Sequence, residues 1–112
     1  MHHQAAGNYL KAHRREAGFS QQELGNLIGR GSGQVSRHER ATSIPPLAAA
    51  LAYELIFQVP VSVIFIGMHE AIKQDIENKL RRLEEELGNR DLGRDANSVA
   101  QKLVWLKERK SR

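Results

Sequence analysis

Apolar side chains recur with a helical period along most of the chain, and glycine and proline divide them into segments. Leu10 to Glu16 predicts a first helix, which ends at Gly18. Ser20 and Glu23 have the spacing of a capping box, so a second helix is predicted to begin there. Gly29 is expected to end that helix as its carboxyl-terminal glycine. The predicted inner stripe of the second helix consists of Leu24, Leu27 and Ile28.

Three shorter segments follow and are also predicted to be helical. A third helix is expected from about Ser32 to Arg40, with Val35 in the core. Pro45-Pro46 opens a fourth helix and Pro60 a short fifth one, because proline is favoured at the start of a helix. The side chains expected to face inward are Leu47, Ala50, Leu51 and Leu55 in the fourth helix, and Val61, Ile64 and Phe65 in the fifth.

The second half of the chain predicts a helical hairpin. His69 to Leu87 lacks glycine and proline and carries an apolar stripe, so a long helix is expected. Gly88 to Asn97 is a polar segment predicted to be a loop. Ser98 and Gln101 have capping-box spacing for a last helix, lined by Val99, Leu103 and Leu106, with a frayed end. Nothing in the pattern indicates a strand, so the predicted class is all-α.

The composition is typical of a soluble globular protein. The chain has 112 residues, 40% of them apolar and 27% charged, which fits one domain or a small domain with an added segment. It has no cysteine, so disulfides and thiolate zinc sites are excluded. No apolar run opens the chain, so no signal peptide is expected. Pro46 to Met68 carries only one charge, but Pro60 interrupts it, so we predict buried helices and no membrane span.

Basic residues are concentrated ahead of an apolar block. The formal net charge of +4 favours a polyanionic partner. Residues 11–40 carry six basic and three acidic side chains, whereas residues 41–66 carry no basic residue and only one acidic residue, Glu54. The remaining charges are mixed along residues 67–112. This distribution predicts a basic face mounted on an apolar core.

Residues 20–40 carry the most informative motif, SQQELGNLIGRGSGQVSRHER. Two helices of about eight residues joined by a glycine-containing turn describe a helix-turn-helix. Over residues 9–66 the chain resembles the lambda-repressor-like (Cro/cI, XRE) family of DNA-binding proteins. The matching positions are Ser20-Gln21, Leu24, Gly29, Val35-Ser36, Glu39, Pro45, Leu47, Leu51, Val59 and Phe65. The resemblance implies a five-helix lambda-repressor-like domain, which the predicted hairpin follows.

The resemblance also implies that the third helix is a recognition helix. Such a helix presents short or polar side chains at its amino end, where it enters the major groove. Arg37 is expected to read a guanine through O6 and N7, with Gln34 or Ser32 adding a base or phosphate contact. Gln21 resembles the family's phosphate-clamping glutamine. The expected DNA-binding residues are Gln21, Arg30, Ser32, Gly33, Gln34, Ser36, Arg37 and Arg40.

Other positions match or depart from the family without pointing to DNA. Arg14 and Glu39 match positions that form a structural ion pair in relatives, and this role is preferred to DNA contact. His38 stands where a buried isoleucine or leucine is usual, Arg30 stands near a usually apolar turn position, and Ala41 replaces a common glycine. A binding-defective or adapted motif is therefore an alternative.

The sequence gives little support for catalysis. The five histidines lack metal-ligand spacing apart from the adjacent pair near the amino terminus. No phosphate loop, nucleophile elbow or dinucleotide fingerprint is present. We therefore expect a protein that is not an enzyme, that binds no metal or cofactor, and that lies in the bacterial cytoplasm at the nucleoid, encoded by a bacterium or a phage.

The hairpin is expected to provide self-association or partner binding. Relatives place two recognition helices about one DNA turn apart by forming dimers. The predicted organisation is a flexible arm over residues 1–8, a DNA-binding domain over 9–67, and a dimerisation or partner-binding segment over 68–112. The expected dimerisation residues are Ile72, Ile76, Leu80, Leu83, Leu87, Leu103 and Leu106.

Two functions follow from these observations. The first is a sequence-specific transcriptional regulator, expected to be a repressor, that binds a palindromic operator as a homodimer through the major groove. The alternative is an antitoxin-like or other interaction module, whose carboxyl-terminal helices bind a partner protein such as a toxin.

Overall fold

The computed structural model describes residues 7–89 and 96–111, and within these ranges the chain forms seven helices and no strand. The prediction of an all-α protein is confirmed. The helices are α1 (Leu10–Ala17), α2 (Gln21–Ile28), α3 (Ser32–Glu39), α4 (Leu47–Phe57), α5 (Val61–Ile64), α6 (Ile66–Gly88) and α7 (Ala96–Lys110). None of the helices in the described part of the chain is both long enough and apolar enough to cross a membrane.

Packing divides the chain into two compact units, one extending to Ile72 and the other beginning at Lys73. The division falls within α6, beyond the boundary predicted at Gly67. Gly67 is not a break in the backbone, because α6 begins at Ile66 and continues through it. Each unit has an apolar core of its own.

The ends of α2 form as the sequence predicts. The Ser20 hydroxyl accepts a hydrogen bond from the Glu23 N–H at 3.0 Å, and the Glu23 carboxylate accepts one from the Ser20 N–H at 2.9 Å. This reciprocal bonding satisfies two amides that would have no acceptor within the helix. At the other end Gly29 has a φ of 72°, which is the left-handed conformation that ends the helix.

The core of the first unit is built by side chains from α1 to α5 and the turn after α5. Its buried members are Leu10, Leu24, Val35, Tyr53, Ile64 and Phe65, and Ile28, Ile56, Phe57, Val59 and Val61 pack against them. The predicted inward positions of the third and fifth helices are therefore confirmed. Leu27 was predicted to line the core from α2, but it is exposed.

The predicted inner face of α4 is wrong. Ala49 and Tyr53 are the buried residues of this helix, whereas Leu47, Leu51 and Leu55 are exposed. The apolar residues of α4 lie on every side of the helix, so the hydrophobic pattern could not indicate which side is buried. The large Tyr53 ring fills the space between α3 and α5, and its position turns the leucines outward.

The predicted flexible arm over residues 1–8 includes a residue that the structure holds in place. The Asn8 amide donates to the His38 carbonyl oxygen at 3.0 Å, and its side-chain oxygen accepts from the Leu10 N–H at 3.0 Å. Asn8 thus satisfies the first amide of α1 and connects it to the end of α3. Residues 1–6 of the predicted arm lie outside the described residues.

The second unit contains the hairpin helices, with Leu87, Val99 and Leu106 buried in its core. The predicted capping box at Ser98 is wrong, because α7 is already helical at Ala96, an alanine with high helix propensity. The predicted loop over residues 88–97 is wrong at both ends, where Gly88 lies in α6 and residues 96–97 lie in α7; its residues 90–95 lie outside the described part of the chain.

The carboxyl-terminal residues were predicted to fray; in the structure α7 extends to Lys110, with two ion pairs in its last turn. Arg109 pairs with Glu77 at 2.9 Å, and Lys110 pairs with Glu84 at 2.6 Å. These exposed ion pairs each contribute little stability. Together with Leu106, they hold the last turn of the described helix against α6.

Ala41 offers a direct test of the backbone after α3. Its φ of 59° lies in the left-handed region, where a Cβ atom costs on the order of 1 kcal/mol. The substitution Ala41→Gly should therefore raise the free energy of unfolding by about 1 kcal/mol in a urea titration. Ala12→Gly, on the exposed side of α1, is the matched control and should lower it by about 0.5–1 kcal/mol. Loss of stability in both variants would contradict this backbone geometry.

Candidate nucleic-acid interface

α2 and α3 pack against each other, and residues 29–31 join them in a tight turn. A Cβ atom on Gly25 would lie 2.7 Å from the carbonyl oxygen of Arg30, so only glycine allows this approach. The Arg30 N–H donates to the Gly25 carbonyl oxygen at 2.8 Å. The turn is therefore fixed to α2, and α3 starts from a defined point.

α3 has a buried side and an exposed side. Val35 and His38 are buried, and on the opposite side of the helix Gly33, Arg37 and Arg40 are exposed. The Arg37 guanidinium extends back along the helix, where one of its nitrogens lies 3.7 Å from the position of a Cβ on Gly33. The absence of a side chain at Gly33 leaves the amino end of α3 open to a groove.

The remaining predicted contacts lie along the edges of this exposed side. Ser32, Gln34 and Ser36 are half-buried. The Arg30 guanidinium donates to the side-chain oxygen of Gln34 at 3.2 Å. This bond uses one of the two acceptor positions of the Gln34 oxygen and leaves the two N–H donors of its amide directed away from Arg30.

The exposed side of α3 carries uncompensated positive charge. Within residues 7–89 and 96–111, no carboxylate lies within ion-pair distance of Arg30, Arg37 or Arg40. Guanidinium groups offer hydrogen-bond donors only. With the free amide donors of Gln34, they form an array that matches acceptor-rich, anionic surfaces.

The Glu39 carboxylate anchors this interface to the other helices. The Arg14 guanidinium approaches it with two nitrogens, at 2.5 and 3.2 Å, and a third nitrogen donates to the Phe19 carbonyl oxygen at 2.9 Å. The ion pair expected from the resemblance is thus present, and both side chains are almost fully buried. The hydrogen bonds that Arg14 donates to Glu39 raise the pKa of Arg14, so its charge is fixed. Neither residue faces the exposed side of α3.

Gln21 lies at the start of α2, as the sequence predicts, but its side chain has a second partner. Its NH₂ group donates to Glu39 at 3.0 Å, on the same carboxylate that holds Arg14. One N–H of this group remains, together with the backbone amides of Gln21 and Gln22, which have no acceptor within the helix; the Glu23 amide is bonded to Ser20. Glu39 therefore fixes the orientation of Gln21 without using all of its donors.

The sequence did not predict the contact that holds α3 to α4. The His38 ring is only 3% exposed, and its Nδ1 lies 2.8 Å from the Tyr53 hydroxyl. The edge of one ring faces the plane of the other, at 82°. A polar residue at a normally apolar position was the available signal, because a buried imidazole needs a partner. The partner itself, Tyr53, lies on another helix and could not be identified from the motif.

The predicted dimerisation residues divide into two groups. Leu87 and Leu106 are buried within the hairpin, and Leu80 and Leu103 pack against them, so these four stabilise the second unit itself. Ile72, Ile76 and Leu83 remain exposed. The apolar stripe predicted from the sequence is therefore divided between the core of the second unit and its exposed surface.

The His38 environment predicts a pH dependence of stability. Burial lowers the pKa of His38, and the nearby Arg30 and Arg37 lower it further. The unfolded chain binds a proton near the ordinary histidine pKa of about 6.5, and the folded chain binds it only at lower pH. Because the unfolded state then holds more protons, the free energy of unfolding should fall as the pH drops below about 6.5.

Urea midpoints at about pH 7.5 and pH 5.5 measure this loss. The matched variant combines His38→Leu with Tyr53→Phe, which removes the titrating ring without leaving a buried hydroxyl unpaired. It should lose less stability on acidification than the wild-type chain. An equal loss in the two proteins would mean that His38 titrates normally.

Comparisons of the chain with protein-family models, with curated proteins and with solved structures found no match. The function proposed below therefore depends on the geometry of this interface and on the motif in residues 20–40.

Proposed function

We propose that the chain is a sequence-specific DNA-binding transcriptional regulator of the lambda-repressor-like type, and that it acts as a homodimeric repressor on a palindromic operator. The observation that carries this proposal is the exposed side of α3. It combines an open amino end at Gly33 with uncompensated arginines, on a helix whose opposite side is fixed in the core. Such a helix, behind a first helix and a tight turn, suits the major groove.

The roles of the side chains follow from their donors. Arg37 lies in the last turn of α3, but its exposed guanidinium extends back toward Gly33 and would read guanine through O6 and N7. The remaining side-chain N–H of Gln21 and the first backbone amides of α2 would donate hydrogen bonds to a DNA phosphate. The DNA backbone on either side of the groove would be contacted by Ser32, Ser36, Arg30 and Arg40. Such contacts position the protein without reading the base sequence.

The contact between Arg30 and Gln34 orients the Gln34 side chain. A carboxamide oxygen has two lone pairs, so Gln34 keeps one acceptor position and two N–H donors after this bond. We therefore expect a guanine opposite Arg37, with Gln34 adding a base or phosphate contact.

The test is in-vitro selection from random double-stranded DNA at about 150 mM salt, where nonspecific binding is weakened. The proposal predicts an enriched palindrome, with guanine-containing half-sites about 10 base pairs apart from centre to centre. Enrichment of a single half-site would overturn the homodimer, and enrichment of no sequence would overturn sequence-specific binding.

Substitutions on the selected site separate base reading from phosphate contact. Arg37→Ala should weaken binding by about 1–3 kcal/mol and relax the preference at one base pair. Gln21→Ala should weaken binding to every DNA sequence by about the same factor, because Gln21 would contact a DNA phosphate and no base.

Fluorescence anisotropy titrations with matched and mismatched duplexes measure both effects. Arg82→Ala, an exposed arginine on α6, is the matched loss of charge and should leave the base preference unchanged. Thermal melts of each variant monitor folding, since Gln21 also bonds to Glu39. A base-selective loss in Gln21→Ala would mean that α2, not α3, reads the sequence.

A second candidate function is supported by the hairpin. A groove of about 390 Å³ in the second unit is lined by apolar and polar side chains, namely Leu80, Leu83, Ser98, Gln101, Lys102, Trp105 and Leu106. Trp105 and Leu83 are exposed there. An antitoxin-like partner-binding role would use this groove, and it becomes the leading candidate if selection enriches no DNA.

A further inference from the structure

Three exposed leucines form an apolar surface on α4, on the side of the helix that faces away from the core. Leu47, Leu51 and Leu55 are 74%, 46% and 77% exposed. Successive residues at intervals of four fall within about 80° of one another on a helix, so the three leucines form one stripe. Ala49 and Tyr53 lie on the opposite side and are buried.

This stripe is unusual for a helix on a protein surface. A helix in such a position normally presents polar side chains to water, and one that is apolar on all sides is normally covered on all sides. Glu54 is the one charged residue of α4, and apolar side chains lie on every side of the helix, yet only the Ala49 and Tyr53 side is packed in the first unit. Contiguous exposed apolar patches of this kind mark interaction sites.

The charges around the stripe limit what can cover it. Residues 41–66, which include α4 and the segments on either side of it, contain no basic side chain, so this part of the chain offers no basic group to DNA or to an anionic membrane surface. The one acidic residue of α4, Glu54, accepts a hydrogen bond from the Val61 N–H at 2.8 Å and is thereby directed toward α5. The three leucines of the stripe carry no charge themselves, and the one carboxylate of their helix is bonded to the start of α5.

A second copy of the same chain fits this surface. The chain is positively charged overall, and two copies repel each other least where neither carries basic residues. A patch that pairs with itself about a two-fold axis must be self-complementary, and a neutral stripe of equally spaced leucines has this property. With the axis at Leu51, Leu47 of one copy would meet Leu55 of the other.

We infer that the α4 stripe is a self-association surface, at which two copies of the chain pair through Leu47, Leu51 and Leu55. This inference supplies an interface for the proposed homodimer. Its test uses no DNA, so failure of the DNA-binding proposal leaves it intact. The inference assigns the interface to α4 and not to the hairpin, because the exposed apolar residues of the hairpin alternate along the chain with charged ones such as Lys79 and Arg82.

Sedimentation equilibrium of the full chain, from micromolar to submillimolar concentration, tests the inference. The wild-type chain should be a dimer that dissociates on dilution. Leu55→Glu should raise the dissociation constant by more than about tenfold, because the change places a charge in the apolar contact of each copy. Val104→Glu, at an exposed apolar position of the hairpin, is the matched control and should leave the constant unchanged.

Circular dichroism spectra and thermal melts monitor folding in each variant. Because Leu55 is exposed, the charge should leave the fold intact; Leu47→Glu is a second variant with the same expected effect on association. A wild-type chain that stays monomeric throughout the range would overturn the inference. So would an unchanged dissociation constant in both leucine variants, or dissociation caused by Val104→Glu instead.

Discussion

The carboxylate of Glu39 is the interaction on which the arrangement of the first unit depends. It sits on α3 and accepts hydrogen bonds from Arg14 on α1 and Gln21 on α2, so one buried group connects three helices. Burying a charge is unfavourable unless its partners satisfy it, and here two side chains do so. Removing one partner would leave the other charge buried, at a cost of about 3–5 kcal/mol. The ion pair thus fixes the orientation of α3.

A fixed α3 has consequences on both of its sides. On the inner side, His38 bonds to Tyr53 and so connects the helix to α4 through a polar contact in an apolar core. On the outer side, the arginines remain free of carboxylates within the described residues. The two sides are coupled electrostatically, since the same arginines disfavour protonation of His38. An anionic ligand that neutralised Arg30 and Arg37 would weaken this effect.

The two units use their apolar residues differently. In the hairpin, the predicted stripe is divided between an internal core around Leu87 and Leu106 and exposed positions such as Leu83. In the first unit, the core needs only one side of α4, and the leucines of the other side stay outside it. A small helical unit cannot enclose all of its apolar surface, and the excess is available for association.

The sequence by itself determined the helical class, the capping box at Ser20 and the glycine end of α2, because these depend on residues close together in the chain. The resemblance also anticipated the pair of Arg14 and Glu39. Only the tertiary structure decided which side of α4 is buried, which partner satisfies His38, and that Glu39 also orients Gln21. Each of these depends on side chains from different helices. Local periodicity cannot choose between two apolar sides, and spacing along the chain cannot identify a partner on another helix.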